Sequence, residues 1–182
     1  MVRGIDSALA QGLQVKLNTV LIKGVNEHMV VPVLNFARIR GITVRFLELM
    51  SMGHLCGSKV NGGLYSSHEI VQTIERHAGQ VTRVEREKSS TATYYRLPDG
   101  YQFGIIANHS HPFCGDCNRL RLDSMGNLFG CISAAKGINI RPWLKANKEE
   151  TQHSLVQALA QAMKQKQTQF TGSPVSMKHL GG

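Results

Sequence analysis

At 182 residues the chain is one ordinary domain or a part of a larger one, long enough to bury about two thirds of its unfolded surface. Its formal charge of +9 points to anionic partners and fixes only their sign, since nucleic acid, a nucleotide and a phosphate-rich surface all qualify. No apolar run approaches the roughly 18 residues of a membrane span and the first residues carry no signal-peptide core, so the reading excludes a membrane-spanning chain and expects a cytoplasmic one, with four cysteines serving metal or redox chemistry rather than disulfides.

The first half reads as one β-α-β unit. Residues 13–22 alternate apolar and polar as a strand. Gly24 to Glu27 closes it, an apolar-periodic stretch over 27–39 predicts a helix, and Gly41 breaks the chain before a second strand over Ile42 to Met50. Strand, helix, strand over some forty residues implies neighbouring parallel strands, which do not make a self-sufficient sheet. The expectation is therefore a slice of a larger α/β sheet or barrel.

The second half carries different signals. Ser66 and Glu69 have the spacing of a capping box and open a helix to about His77. Strands are predicted over 80–87, 91–97 and 101–107, with turns at Lys88 to Ser90 and Pro98 to Gly100, giving an antiparallel sheet. A strand pair turning at Ser124 to Asn127 follows, then a short helix over 139–145. A longer helix over 149–167 would place Leu155, Leu159, Ala162 and Met163 on one side, and the tail beyond 167 lacks periodicity.

Between these elements lies the most specific signal. Cys114 and Cys117 are separated by two residues, and Cys131 follows after thirteen more. One turn can aim the first two thiolates at a single centre, and a strand, a tight turn and a returning strand can bring in the third. Three sulfurs leave one position of such a centre unfilled. Arg119 and Arg121 flank Leu120 in strand-like alternation, which sets two guanidiniums on one face about 6 to 7 Å apart. That pair suits an anion with several oxygens.

The run His111 to Leu122 with Cys131, preceded by Val15-Lys16-Leu17-Asn18 and by Val44 to Met50 and closed by Gly181-Gly182, resembles the C-terminal part of the MoaA family, the radical S-adenosylmethionine (SAM) GTP 3′,8-cyclases of molybdenum cofactor biosynthesis. The resemblance implies a fold class of α/β type: a slice of an incomplete, partly TIM-like radical SAM barrel over residues 1–55, then an antiparallel-sheet and helix region over 56–182 carrying an iron-sulfur site. It implies that Cys114, Cys117 and Cys131 hold a second 4Fe-4S cluster with one iron facing the substrate. Arg119, Leu120 and Arg121 match the GTP-contacting run, Lys16 and Arg45 match further GTP ligands, and Met50 matches a position lining the SAM pocket. Strict alternation sets Arg45 and Met50 on opposite faces, so both reach one cavity only if the strand ends or bulges before Met50.

These 182 residues contain no Cys-x-x-x-Cys-x-x-Cys triplet for the first cluster that binds SAM, and Cys56 stands alone. The resemblance therefore implies a chain that supplies GTP binding and the second cluster, cleaves no SAM alone, holds no catalytic side chain identifiable from sequence, and has GTP, an N-terminal piece or a second copy as partners. In the complete enzyme a 5′-deoxyadenosyl radical would remove hydrogen from C3′ of GTP, and the carbon radical would close onto C8. The terminal glycine pair is expected to contribute there. The alternative is a basic module holding zinc, with His109 or His111 as fourth ligand, that binds nucleic acid; sparse aromatics among the basic residues count against it.

Overall fold

The computed structural model describes residues 2–55, 63–145 and 148–173. Its elements are α1 (Val2–Ala10), β1 (Lys16–Lys23), α2 (Val30–Ile39), β2 (Thr43–Glu48), β3 (Gly63–Leu64), α3 (Ser67–Ala78), β4 (Thr82–Arg83), β5 (Thr93–Arg96), β6 (Gln102–Ile106), β7 (Arg121–Leu122), β8 (Asn127–Phe129), β9 (Ile138–Asn139) and α4 (Lys148–Met163). Packing divides them into two compact units, Met1–Leu49 with Asn61–His111 and Met50–Val60 with Pro112–Gly182. No helix among the described residues is long and apolar enough to cross a membrane.

The first unit holds one six-stranded sheet in the order β3-β1-β2-β6-β5-β4. β1 and β2 are parallel, as the β-α-β reading predicts. The end of β1 is fixed by Asn26, whose Oδ1 accepts from the Ile22 amide at 2.7 Å and whose Nδ2 donates to the Val20 carbonyl at 3.0 Å. Parallel register sets Leu17, Thr19 and Leu21 beside Val44, Phe46 and Glu48 on one face. Leu21, Val44 and Phe46 are buried there with Leu34 of α2, Ile70 and Ile74 of α3, and Phe103 and Ile105 of β6. The capping box of α3 is formed in full, Ser66 Oγ accepting from the Glu69 amide while the Glu69 carboxylate accepts from the Ser66 amide at 2.9 Å. The Lys23 ammonium, 2.5 Å from Glu69, and the Ser66 donors hold the Glu69 carboxyl down to about 2.

Three features of this unit depart from the sequence expectations. The strand foreseen over 80–87 shrinks to Thr82–Arg83, because after the bond from the Val84 amide to the Tyr94 carbonyl the chain leaves the ladder. β6 pairs in parallel with β2 while pairing antiparallel with β5, so the hairpin strands extend the β1–β2 sheet instead of building another. The third is α1, whose Ile5 and Leu9 pack onto the same core.

The second unit holds a three-stranded sheet, β7-β8-β9, covered by α4. Its first turn forms where the sequence places it: the Asp123 carboxylate accepts from the Met125 and Asn127 amides at 2.9 and 2.8 Å, and Gly126 takes φ +80°. Of the side expected from the sequence, α4 buries Ala162 and half-buries Leu155. Ala158 and Ala162 are buried against Leu128 and Leu120, whereas Leu159 and Met163 remain 42% and 45% exposed. The reason is close approach: at Gly130, which follows β8, a Cβ would lie 1.6 Å from the Ala162 carbonyl oxygen, leaving room only for small residues on the helix.

Candidate metal centre and anion-binding face

A single 3-10 turn over Cys114–Asp116, closed by the Cys117 amide donating to the Cys114 carbonyl at 3.2 Å, carries the first two thiols. The β7–β8 hairpin returns the third. Its register pairs Arg121 with Phe129 and Leu122 with Leu128, and continued by two residues it sets Cys131 level with Arg119. All three cysteines are free and partly buried. Among the described residues, no three His, Cys, Asp or Glu side chains form a group that could hold a metal ion as they stand.

The surroundings act differently on the first two thiols, and only those of Cys117 favour a thiolate. Burial pushes the Cys114 thiol up, and the neighbouring Cys131 and Cys117 add to that shift against the opposing Lys166 ammonium. Burial also acts on Cys117, but the Arg119 amide, the Lys166 ammonium and the Arg119 guanidinium outweigh it and hold this thiol below its ordinary value. Arg119 Nη1 is 3.9 Å and Lys166 Nζ 3.7 Å from the Cys117 sulfur. The Ser133 amide donates to Cys131 Sγ at 3.4 Å, and the Ser133 hydroxyl is buried with no partner. Three thiols with amide and cationic donors, plus one orphaned hydroxyl beside Cys131, fit an iron-sulfur cluster, whose sulfurs accept such bonds.

Leu120 turns into the cluster of Leu128, Ala158 and Ala162, leaving Arg119 exposed and Arg121 half-buried on either side of it. Only Arg121 lies in a strand, since β7 begins there. Any ligand contact from Leu120 is therefore left to its backbone. The Arg119 guanidinium stands 6.0 Å from the centre of the Phe113 ring.

In the first unit Lys16 and Asn18 share the face of β1 opposite the core, and Asn18 lies beside Arg45 in the register. Arg45 Nε donates to Asn18 Oδ1 at 2.8 Å. The stem of Arg45 crosses Gly104, where an added Cβ would lie 3.0 Å from Arg45 Cγ, so the absent side chain leaves the guanidinium its path. Lys16 also borders a cleft of about 360 Å³ at the amino-terminal ends of β1 and β2. β2 ends at Glu48, which is the early ending that alternation required before Met50. Met50 itself packs with Met52, Phe129 and Phe170 in the second unit.

His111 Nδ1 is 3.1 Å from the Ser67 hydroxyl, which engages the ring within the first unit. Cys56 and Gly181-Gly182 lie outside the described residues.

Several groups that shape these sites carry little signal in the sequence. Glu48 is 1% exposed and accepts from the amides of Ser67, His109 and Ser110 at 2.8, 2.8 and 3.0 Å, as well as from the Ser110 hydroxyl. A carboxylate at the core parity of an apolar strand, after Val44 and Phe46, was the available signal. Asn18 and Lys166 had none, because polar residues on a strand and at a helix end are ordinary.

The Molybdenum Cofactor Synthesis C family matches residues 42–172. The GTP 3′,8-cyclase of Aliarcobacter butzleri is 40% identical over 148 residues, which are 81% of this chain and 45% of that protein. The GTP 3′,8-cyclase of Campylobacter curvus is 41% identical over 138 residues, 76% of this chain and 42% of the relative. That of a Synechococcus species is 35% identical over 155 residues, 82% of this chain and 44% of the relative. The chain thus spans less than half the length of these curated relatives.

Proposed function

Because the chain belongs to the Molybdenum Cofactor Synthesis C family, we propose that it is the GTP-binding, second-cluster part of a GTP 3′,8-cyclase acting in molybdenum cofactor biosynthesis. The observation that carries this reading is the cationic setting of Cys117 inside the three-cysteine spacing. In this reading Cys114, Cys117 and Cys131 hold a 4Fe-4S cluster. Bound by three thiolates, such a cluster offers one iron to a donor atom of the substrate.

The chain's own residues do the rest. Arg119 and Arg121 contact GTP, with the backbone of Leu120 between them, and their fixed forks suit its phosphate oxygens. Lys16 and Arg45, on one face of β1–β2, neutralise further charge, Arg45 being oriented by Asn18. Base and phosphates held at separate points fix the ribose for reaction, which is the contribution of orientation to rate. Met50 lines the SAM pocket of the complete enzyme. SAM and its own cluster come from an N-terminal portion, residues 1–55 contribute barrel strands, and residues 56–182 contribute the cluster and substrate region.

Metal and sulfide analysis of anaerobically prepared protein tests the reading. Iron, sulfide and broad absorption near roughly 400 nm are expected. Zinc without colour, with salt-sensitive nucleic-acid binding, would replace it by the basic zinc module. On the iron-loaded protein, Arg121→Ala is expected to weaken GTP binding about tenfold and Arg119→Ala with Arg121→Ala about a hundredfold, at unchanged iron content, since each lost bond to a charged group costs about 1.5 to 3 kcal/mol. Equal GTP affinity in the double variant by calorimetric titration would remove both arginines from the site.

A further inference from the structure

The carboxyl end of α4 is built to deliver one ammonium to the cysteine loop. After Met163 the chain tightens, the Gln165 and Lys166 amides donating three residues back to the carbonyls of Ala162 and Met163 at 3.0 and 3.2 Å. Gln165 then clamps this turn to the sheet. Its Oε1 accepts from the Gly130 amide at 2.8 Å, and its Nε2 donates to the Lys136 carbonyl at 3.1 Å. The missing side chain at Gly130 lets the helix backbone come this close. The next residue, Lys166, reaches across to the other side of the hairpin, where its Nζ donates to the Arg119 carbonyl and stands 3.7 Å from Cys117 Sγ.

We propose that Lys166 is a positioning residue of the cluster site: it pins the Cys117–Arg119 segment and holds a fixed positive charge at the Cys117 sulfur, raising the reduction potential and the retention of the cluster bound there. The inference rests on the reading of the three cysteines as cluster ligands. Lys166 is assigned to the cluster and not to the substrate phosphates because its ammonium is engaged by a carbonyl and a sulfur of the chain itself. Reduction adds one negative charge to an iron-sulfur centre, so a cation fixed at a ligand sulfur favours the reduced state, and a donor to that sulfur acts in the same direction. Partners of this kind orient ligands, and their loss costs metal affinity.

The test compares the full chain with Lys166→Met, Lys166→Gln and Lys166→Arg, each reconstituted anaerobically with iron and sulfide. The readouts are iron and sulfide per chain, the rate of iron release to a chelator, and the midpoint potential from a redox titration followed by visible absorption and electron paramagnetic resonance. K166M is expected to show a lower potential and about tenfold faster iron release. K166Q, which is one atom shorter but keeps an N–H donor without the charge, should show the lowered potential with a smaller loss of iron, and K166R should restore most of both. Circular dichroism matching the parent certifies the fold of each variant, and the glutamine variant keeps the comparison decisive if the methionine variant is poorly folded. A cluster-loaded parent with unchanged potential and iron release in K166M and K166Q overturns the role of Lys166 alone. A parent that takes up no iron-sulfur cluster overturns the functional reading and this inference together.

Discussion

Glu48→Ala is expected to lower the unfolding free energy by about 3 to 4 kcal/mol in a urea titration. The carboxylate sits at the end of β2, on the core face, and accepts from three backbone amides and one hydroxyl. Two of those amides, at His109 and Ser110, belong to the loop leaving β6, and the third opens α3, so one side chain joins a strand end to a helix start and a loop. Alanine leaves the buried Ser67 amide and the part-buried His109 and Ser110 donors without this acceptor, at about 1 to 3 kcal/mol for a buried donor and less where water enters. Glu48→Gln should fall between, because one oxygen still accepts while its NH2 meets a donor. Amide exchange at His109 and Ser110 should quicken in both variants. A loss below about 1 kcal/mol for alanine would mean that water fills the site and that Glu48 does not organise the loop.

Gly130→Ala is expected to cost about 3 kcal/mol or more, concentrated in the second unit. The new methyl would meet a backbone oxygen, that of Ala162, at 1.6 Å, and a backbone atom has no rotamer to change. α4 must withdraw, and in doing so it uncovers Ala158 and Ala162 and breaks the Gln165 bond to the Gly130 amide. Trp143, the one tryptophan of the chain, packs against the same cluster, so its fluorescence reports the change directly. Melting followed by that signal should move down sharply. An unshifted transition would show that the helix has slack that the close approach at Gly130 denies.

The two substitutions share a lesson about what patterns along a chain disclose. The capping box of α3, the closure of β1 by Asn26 and the Asp123 turn each join residues within a few positions, and the first and last of these stood where the sequence placed them. The β-α-β reading succeeded for the same reason, since alternation and a glycine break are local signals and a crossover helix permits only parallel neighbours. Of the side of α4 expected from the sequence, Ala162 is buried while Leu159 and Met163 stay largely exposed, because periodicity places residues on a side and the close contact at Gly130 selects the smallest of them.

By itself, then, the sequence determined the cysteine spacing, the arginine pair around Leu120, the local caps and the parallel strand pair, all within windows where backbone geometry leaves few choices. Only the tertiary structure decided that β6 joins β2, that Glu48 gathers amides some twenty and sixty residues away, and that Lys166 meets Cys117 across 49 residues. Those contacts depend on how whole elements pack, because a polar side chain finds its partner only after the apolar faces have fixed which backbones lie side by side.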